Sequence, residues 1–347
     1  MIPLRAAAHP SPARMPHRPT RPTRSTARTF AALALAAGVA ACVPHVGKGP
    51  GPAGPPATRS LLGQPLYAPE LPLETRQRLE AQLDTARRAY EAHPDDADAI
   101  LWYGRRMAYL GEYRAAVDLF SEGIGKHPRD ARFYRHRGHR QITLRHLGNA
   151  VSDLEKAARL TRGRPDQPEP DGQPNAAGEP LTTLQGNIHY HLGVAYYLRG
   201  EFLRAATAFR TALSLARNDE SRVAATDWLY CSLRRAGRND EAQAVLEPIR
   251  PALTLRENGA YYRRLLLYKG LLPPDSLLDA SGRGGIDAVT QAYGVGNWYL
   301  VNGRREEAEQ IFLRITQGEN WAPFGYIAAE ADLRRLMRAR RLGRPAR

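Results

Sequence analysis

The chain has 347 residues, of which 43% are hydrophobic, so it can build a core and wholesale disorder is excluded. Two cysteines exclude a disulfide-stapled scaffold and zinc modules with three or four cysteine ligands. The net charge of +15 suggests nucleic acid, but residues 1–41 hold six Arg and residues 334–347 hold seven, with no acid in either segment. Removing these from the 50 basic residues leaves 37 against 35 acidic ones. The near-neutral body does not predict binding to nucleic acid.

The first 41 residues have the form of an export signal. An Arg-rich segment precedes an apolar stretch over 30–41, which is too short to span a bilayer and has the length of a signal-peptide core. The stretch ends in Val39-Ala-Ala-Cys42, which resembles the lipobox of bacterial lipoproteins. The resemblance implies cleavage before Cys42 and lipidation of its thiol. An ordinary secretory signal or a transit peptide stays open, as does a translation start at Met15.

A Pro/Gly-rich segment over 42–72 follows the lipobox. It contains eight Pro between Val43 and Pro72, so it cannot form a core and is predicted to be an extended, disordered tether. In some bacteria an Asp after the lipidated Cys marks retention in the inner membrane. Since Val43 stands there, the lipobox resemblance implies a location in the cell envelope, at the outer membrane and facing the periplasm.

Five later segments share one pattern. An Ala is followed four residues later by Phe or Leu in each of them, and the first two Ala residues are 34 apart. The Ala positions are Ala116, Ala150, Ala205, Ala242 and Ala308, and the Phe or Leu positions are Phe120, Leu154, Phe209, Leu246 and Phe312. A fixed period of this length indicates stacked supersecondary units.

The pattern resembles the tetratricopeptide repeat (TPR), in which each repeat is a pair of antiparallel helices, A and B. A small residue in each helix lets the two approach closely, and the aromatic residue fills the gap on the same face. Four glycines fall where helix A should end in a left-handed residue: Gly111, Gly200, Gly237 and Gly303. The predicted fold class is an all-α TPR-type solenoid of about five repeats plus irregular helical pairs.

The organisation along the chain follows from these segments. Helices of N-terminal repeats are predicted over 73–162, a Pro/Gly-rich loop without an apolar face over 163–180, and helices of C-terminal repeats over 181–341. Residues 342–347 form a basic tail. Residues 261–278 are interpreted as a degenerate helical pair, and 324–341 as a C-terminal helix that becomes Arg-rich.

The order of lipobox, repeats, irregular pairs and terminal helix is similar to that of NlpI-type lipoproteins. The similarity lies in the arrangement, over most of the body, and the insertion at 163–180 departs from it. It implies a scaffold for envelope proteins such as peptidoglycan hydrolases or a processing protease, with the membrane reached through the N-terminal lipid. The alternative is a subunit of an outer-membrane secretion or pilus assembly machine, since TPR lipoproteins also occur there.

Motifs for chemistry are missing from the sequence. It has no Gly-x-Ser-x-Gly, no Walker loop and no His-Glu-x-x-His, so the chain is not expected to be an enzyme or to bind a small-molecule substrate or cofactor. His136 and His139 lie three apart, but their surroundings are rich in Arg, so no metal is expected. An unrecognised enzyme site, or nucleic-acid binding by the terminal Arg runs, remains as a rival interpretation.

TPR arrays usually bind peptides in the groove that their A helices line. The resemblance implies that these residues face the groove: Arg105, Tyr109, Arg132, Arg135, His139, Asn187, Tyr190 and Tyr197. Residues 129–146 carry six Arg and one acid, and Arg beside Tyr suits carboxylates and extended acidic peptides. We therefore predict that this patch captures an acidic segment or a C-terminal carboxylate. The alternative is that its Arg side chains only solvate one face.

Overall fold

The computed structural model describes residues 54–172, 178–281 and 285–343. The predicted signal peptide, Cys42, the first part of the tether up to residue 53 and the last four residues of the basic tail lie outside these ranges. Within them, no helix is both long enough and apolar enough to cross a membrane.

The described residues form an all-α solenoid, which confirms the predicted fold class. Helix α1 (Leu73–Ala92) precedes six helical pairs and α14 (Phe324–Arg341) follows them. The A helices are α2 (Ala97–Tyr109), α4 (Ala131–Thr143), α6 (Leu184–Arg199), α8 (Asp219–Arg235), α10 (Gly259–Tyr268) and α12 (Gly285–Val301). The B helices are α3 (Tyr113–Lys126), α5 (Leu147–Thr161), α7 (Phe202–Ser214), α9 (Asn239–Ala244), α11 (Pro274–Ser281) and α13 (Arg305–Thr316). The pair α10–α11 is the degenerate pair that the sequence predicts.

Close contact between a glycine of helix A and a large side chain of helix B holds four of the five repeats together. A Cβ added at Gly193 would lie 2.7 Å from the ring of Phe209, and one added at Gly296 would lie 2.5 Å from Phe312. Gly104 meets Phe120 and Gly138 meets Leu154 in the same way. Each glycine stands 16 residues before its partner. Interior packing leaves no room for an additional methyl group, so these glycines set the distance between the helices.

The fourth repeat departs from this rule. Tyr230 stands at the position of the glycine, 16 residues before Leu246. Its ring is buried and stacks on Tyr268 of α10 with 4.3 Å between the ring centroids. The ring of Tyr230 therefore packs between two A helices, and the B helix of this repeat, α9, is only six residues long.

The turns after the A helices are left-handed, as the sequence predicts. Gly111, Gly200, Gly237 and Gly303 have φ between +74° and +86°. In the second repeat the position belongs to Arg145, at φ +66°. A left-handed non-glycine residue is costly. The side chain of Arg145 is buried and pairs with Glu330 of α14 at 2.9 Å, which offsets that cost.

Helix α14 lies along the row of A helices. It contacts α6, α12 and α13. Near its start, the ring of Phe324 lies 5.3 Å from that of His139, and further along Arg335 donates to the backbone oxygen of Leu198 at 2.6 Å. Asp332 accepts from Arg235 of α8 at 2.8 Å. The C-terminal helix therefore covers the A-helix face of the later repeats.

The prediction of a tether over 42–72 is corrected for its last part. Residues 58–59 and 65–66 form a two-stranded antiparallel hairpin. Thr58 Oγ1 donates to the oxygen of Leu144 at 2.8 Å, and the backbone N–H of Leu61 donates to Glu330 at 3.0 Å. The hairpin packs on the solenoid because a side-chain hydroxyl finds a partner at the turn after α4 and a backbone N–H finds one on α14. The Pro content, on which the prediction rested, does not reveal those partners.

Candidate peptide-binding groove

A cavity of about 270 Å³ lies among α2, α4 and α6, under the irregular segment that follows α5. We call it the groove cavity. Five of the eight predicted groove residues line it: Arg105, Tyr109, Arg135, His139 and Asn187. Phe120, His136, Arg140, His191, Glu169 and Asp171 complete most of the wall. The positions taken from the repeat register therefore converge on one site over the first three repeats.

Helix α2 supplies two adjacent arginines to this site. Its N-cap Asp96 accepts from the backbone N–H of Ala99, which fixes the start of the helix and hence the direction of both side chains. The guanidinium of Arg105 lies 4.2 Å from the ring centroid of Trp102 and donates to the oxygen of Pro170 at 2.7 Å. Arg106 donates to the oxygen of Gly172 at 2.5 Å. Stacking on Trp102 holds the first guanidinium in place for a backbone carbonyl.

Helix α4 supplies Arg135, whose guanidinium pairs with the carboxylate of Glu169. Arg135 lies 3.0 Å from the carboxylate of Glu169, and His136 Nε2 lies 3.5 Å from the same oxygen. Arg135 also approaches Nδ1 of His136 at 3.1 Å, and a guanidinium only donates. Nδ1 is therefore the acceptor, and the ring proton sits on Nε2, towards Glu169. The neutral tautomer of His136 fits this arrangement.

The cavity holds more positive than negative charge. Burial lowers the pKa of His136, of His139 and of His191 well below the usual range, and Arg135 and Arg140 lower each further, so the three rings are neutral. The charged wall then consists of three guanidiniums and two carboxylates: Arg105, Arg135, Arg140, Glu169 and Asp171. Burial raises the pKa of Asp171 and lowers the pKa of Arg135 and of Arg140. A carboxylate entering this wall meets a positive surplus.

Three predicted groove residues lie elsewhere. Arg132 is half-exposed and pairs with Asp130 at 2.6 Å and with Asp98, outside the cavity. Tyr190 is half-buried against α10, where its hydroxyl donates to the hydroxyl of Tyr261 at 3.0 Å. These side chains already have partners within the solenoid, which the repeat register does not show.

Tyr197 corrects the predicted groove most clearly. Its side chain is fully buried. Its hydroxyl forms a hydrogen bond with the hydroxyl of Tyr293 at 2.7 Å and lies 3.1 Å from Oδ1 of Asn297. Both partners belong to α12. Since α12 and α14 cover this part of α6, Tyr197 belongs to the core and does not line a groove.

Sequence reasoning missed the acidic wall of the cavity. The loop predicted over 163–180 has no apolar periodicity, yet Glu169 within it is only 7% exposed. The charge of Glu169 and Asp171 opposite the Arg-rich stretch 129–146 was the available signal, since opposite charges in one chain can pair. Arg106, Arg140 and His191 were also missed, because they lie beside the groove positions of the repeat register. Among the described residues, no group of three or more His, Cys, Asp and Glu side chains is placed to hold a metal ion.

Comparisons with known proteins agree with the helix pairs. Residues 186–219 match the family model of the tetratricopeptide repeat. No curated protein matches the sequence.

Solved structures of TPR proteins resemble the chain distantly. One is the crystal structure of YrrB, described as a TPR protein with an unusual peptide-binding site, at 16% identity over 68% of this chain and 92% of that one, with a TM-score of 0.39. Another is a tetratricopeptide repeat protein from Parabacteroides merdae ATCC 43184, at 13% identity over 74% of this chain and 93% of that one, with a TM-score of 0.41. The repeat match covers residues 186–219, and the described part of the chain is an all-α solenoid of helical pairs of the tetratricopeptide-repeat type, a fold that suggests a protein-interaction scaffold.

Proposed function

We propose that the protein is a non-enzymatic scaffold of the bacterial cell envelope that binds an acidic segment of a partner protein in the groove cavity. The observation that carries the proposal is the ion pair of Arg135 with Glu169, 3.0 Å long, inside the cavity. It demonstrates that the wall accommodates a carboxylate held on an irregular stretch of chain. Charge-assisted hydrogen bonds of this type are among the stronger polar contacts of proteins.

The anchoring of the scaffold rests on the lipobox. Cys42 is the lipidated residue in this proposal, and the residues between it and the hairpin at 58–66 hold the solenoid off the membrane. The location is the outer membrane, with the solenoid facing the periplasm. Replacement of Cys42 by Ser should release the chain from the membrane fraction and abolish labelling by a radioactive fatty acid. Continued labelling of the C42S chain would contradict this anchor.

The class of partner follows from the similarity in arrangement to NlpI-type lipoproteins. Envelope proteins, among them peptidoglycan hydrolases or a processing protease, are the proposed partners. A partner of this kind needs an exposed acidic stretch, because the cavity offers guanidiniums and neutral rings rather than an apolar trough.

Affinity capture from detergent-solubilised envelopes tests the proposal. The baits are the full chain, the double variant Arg135→Gln/Glu169→Gln, which removes both charges of the pair together, and Arg132→Gln, which removes an arginine outside the cavity. Partners should be retained by the full chain and by R132Q and lost by the double variant, at unchanged helix content by circular dichroism. Equal capture by all three baits would contradict binding in the groove cavity, and capture of channel or pilus subunits alone would favour an assembly machine.

A further inference from the structure

The segment 165–172, Pro-Asp-Gln-Pro-Glu-Pro-Asp-Gly, is seated on the groove cavity as a peptide would be. The oxygens of Pro170 and Gly172 accept hydrogen bonds from Arg105 at 2.7 Å and Arg106 at 2.5 Å. The two donors, Arg105 and Arg106, are consecutive residues of the A helix α2. Recognition of alternate backbone carbonyls does not depend on the side chains of the segment, so a segment of another protein could make the same contacts.

Glu169 gives the segment its one charged contact inside the site. The residue is 7% exposed and reaches Arg135 and His136 from between two prolines, Pro168 and Pro170. Prolines fix the flanking backbone in an extended form, so little conformational entropy is lost when such a segment binds. The chemistry that this seat recognises is an extended acidic segment flanked by prolines.

Gly172 fits beside Tyr109 because it has no side chain. A Cβ at this position would lie 1.6 Å from the hydroxyl oxygen of Tyr109. Any larger residue must push either Tyr109 or the segment away. The contact therefore requires a glycine at this position or a displaced Tyr109 ring, and a substitution there disturbs the seat of the segment without removing a charge.

The internal segment uses only part of what the site offers. Within the described residues, Nε of Arg105, Nε of Arg135 and Oε2 of Glu169 are buried and have no hydrogen-bond partner. A buried donor without a partner is costly. The segment's other backbone bonds go elsewhere. The N–H of Glu169 donates to the oxygen of Thr182 and the N–H of Leu184 to that of Gln167, both at 2.9 Å, and the oxygen of Asp166 accepts from Arg217 at 3.0 Å. A ligand that also satisfies the two Nε groups would bind better than the segment does.

We infer that the segment 165–172 is an internal ligand that closes the groove cavity, and that the partner's binding element is a proline-flanked acidic segment that displaces it through a side-chain carboxylate. This inference rests on the proposed function and adds to it the chemistry of the partner and an autoinhibitory contact. In the free protein the segment occupies the guanidiniums of Arg105, Arg106 and Arg135, so that they do not bind other anions. A partner gains access only if its segment competes with the internal one.

Binding of a labelled peptide to the full chain tests the inference. The probe is an acetylated, amidated, fluorescein-labelled peptide of the sequence Pro-Asp-Gln-Pro-Glu-Pro-Asp-Gly, followed by fluorescence anisotropy. Glu169→Gln should bind it about tenfold more tightly than the unaltered chain, since one charge-assisted hydrogen bond is worth about one decade in affinity. Gly172→Ala should also tighten binding, because it unseats the segment and leaves every charge in place.

Three controls separate the possible failures. Arg132→Gln should leave the affinity unchanged, Arg135→Gln/Glu169→Gln should abolish the gain, and a probe with Gln in place of its Glu should bind at least tenfold more weakly. If E169Q and G172A bind no more tightly than the unaltered chain while the double variant loses binding, the groove functions and the internal ligand is refuted. If no chain binds the probe, the proposed function fails as well. Binding only of a probe with a free C-terminus would overturn the side-chain carboxylate.

Discussion

The first three A helices and the last three are built by the same rule but are covered differently. Glycine against a large residue sets the helix distance in both halves, at Gly138 and Leu154 in the first and at Gly296 and Phe312 in the second. Over α8 and α12 the inner face is closed by α14 and by buried ion pairs. Over α2 and α4 it is covered by a loop with a cavity beneath it. The repeat therefore determines the scaffold, and the inserted or terminal segments determine where a surface remains for binding.

The largest expected difference between the halves is the loss of stability when a buried acid is replaced, Asp332 on α14 in one half and Glu169 in the loop over the other. Asp332 is fully buried and accepts from Arg235, Arg335 and the hydroxyl of Tyr293 at 2.7 to 3.0 Å. Burial alone would raise the pKa of Asp332, but the two guanidiniums hold it below the usual value. Asp332→Asn should reduce the free energy of unfolding by about 3–5 kcal/mol, because a buried guanidinium loses its counter-charge.

Glu169→Gln is the matched substitution in the first half. Its partner Arg135 faces a cavity large enough for water, so the loss should be about 1 kcal/mol. Urea unfolding of both variants measures the contrast. Equal losses would show that water reaches neither ion pair more easily than the other, and the proposed difference between the halves would be wrong.

Substitution of the packing glycines tests what the halves share. Gly138→Ala and Gly296→Ala should each destabilise by about 1–3 kcal/mol, since the new methyl group would lie 2.7 Å from Leu154 and 2.5 Å from Phe312. Gly125→Ala is the control. A Cβ at Gly125 meets open space within α3, so alanine should stabilise by up to about 1 kcal/mol. Thermal unfolding of the three variants gives the comparison, and a stabilised G138A would refute the proposed helix spacing.

The sequence predicts the scaffold well because the same contacts between helix A and helix B recur from one repeat to the next. The Ala and Phe or Leu columns, together with the glycines at the helix ends, determine which helices pair and where they turn. The exception can also be read from the sequence, because Tyr230 stands 16 residues before Leu246, where the other four repeats have a glycine. These features are local, since the partners lie within one repeat of each other.

The groove is predicted only in part, for a physical reason that Tyr197 and Glu169 illustrate. Tyr197 occupies a groove position in its repeat, but its fate depends on α12 and α14, which lie about 100 residues or more further along the chain. Glu169 lies in a segment with no periodicity, so its place depends on one ion pair and two backbone contacts. Arg145 is a third case, because its left-handed turn depends on Glu330. Contacts between distant segments leave no period in the sequence.

Acidification should distinguish the two halves. His136 and His191 are buried among Arg135, Arg140 and Arg105, with Glu169 and Asp171 opposite, and their pKa values lie well below the usual one. The unfolded chain binds protons near the ordinary pKa of about 6.5 and the folded one does not, so stability is constant above that pH and falls below it. The slope should be about 1.4 kcal/mol per pH unit for each histidine.

The loss of stability should be confined to the first half, because the chain has no histidine after His191. In the second half, burial raises the pKa of Asp227 in α8 to about 7, so its protonation as the pH falls acts in the opposite, stabilising direction. Hydrogen exchange between pH 7 and pH 5, corrected for the intrinsic rate, should show faster opening in α4 and α6 and not in α12. His136→Phe, which keeps a ring against Phe120, should remove one histidine's share of the slope. A slope unchanged in H136F would indicate that this ring is protonated in the folded protein.

The smallest expected effect belongs to Arg132, the predicted groove residue that lies outside the cavity. Its side chain is 37% exposed and pairs with Asp130 and Asp98 at the start of α4. Because exposed ion pairs contribute little, Arg132→Gln should change the free energy of unfolding by less than about 1 kcal/mol. Its affinity for the acidic probe should equal that of the unaltered chain. A loss as large as that of Arg135→Gln/Glu169→Gln would mean that the second position of helix A does reach the ligand, and the groove would then extend past the end of α4 rather than stop at the cavity.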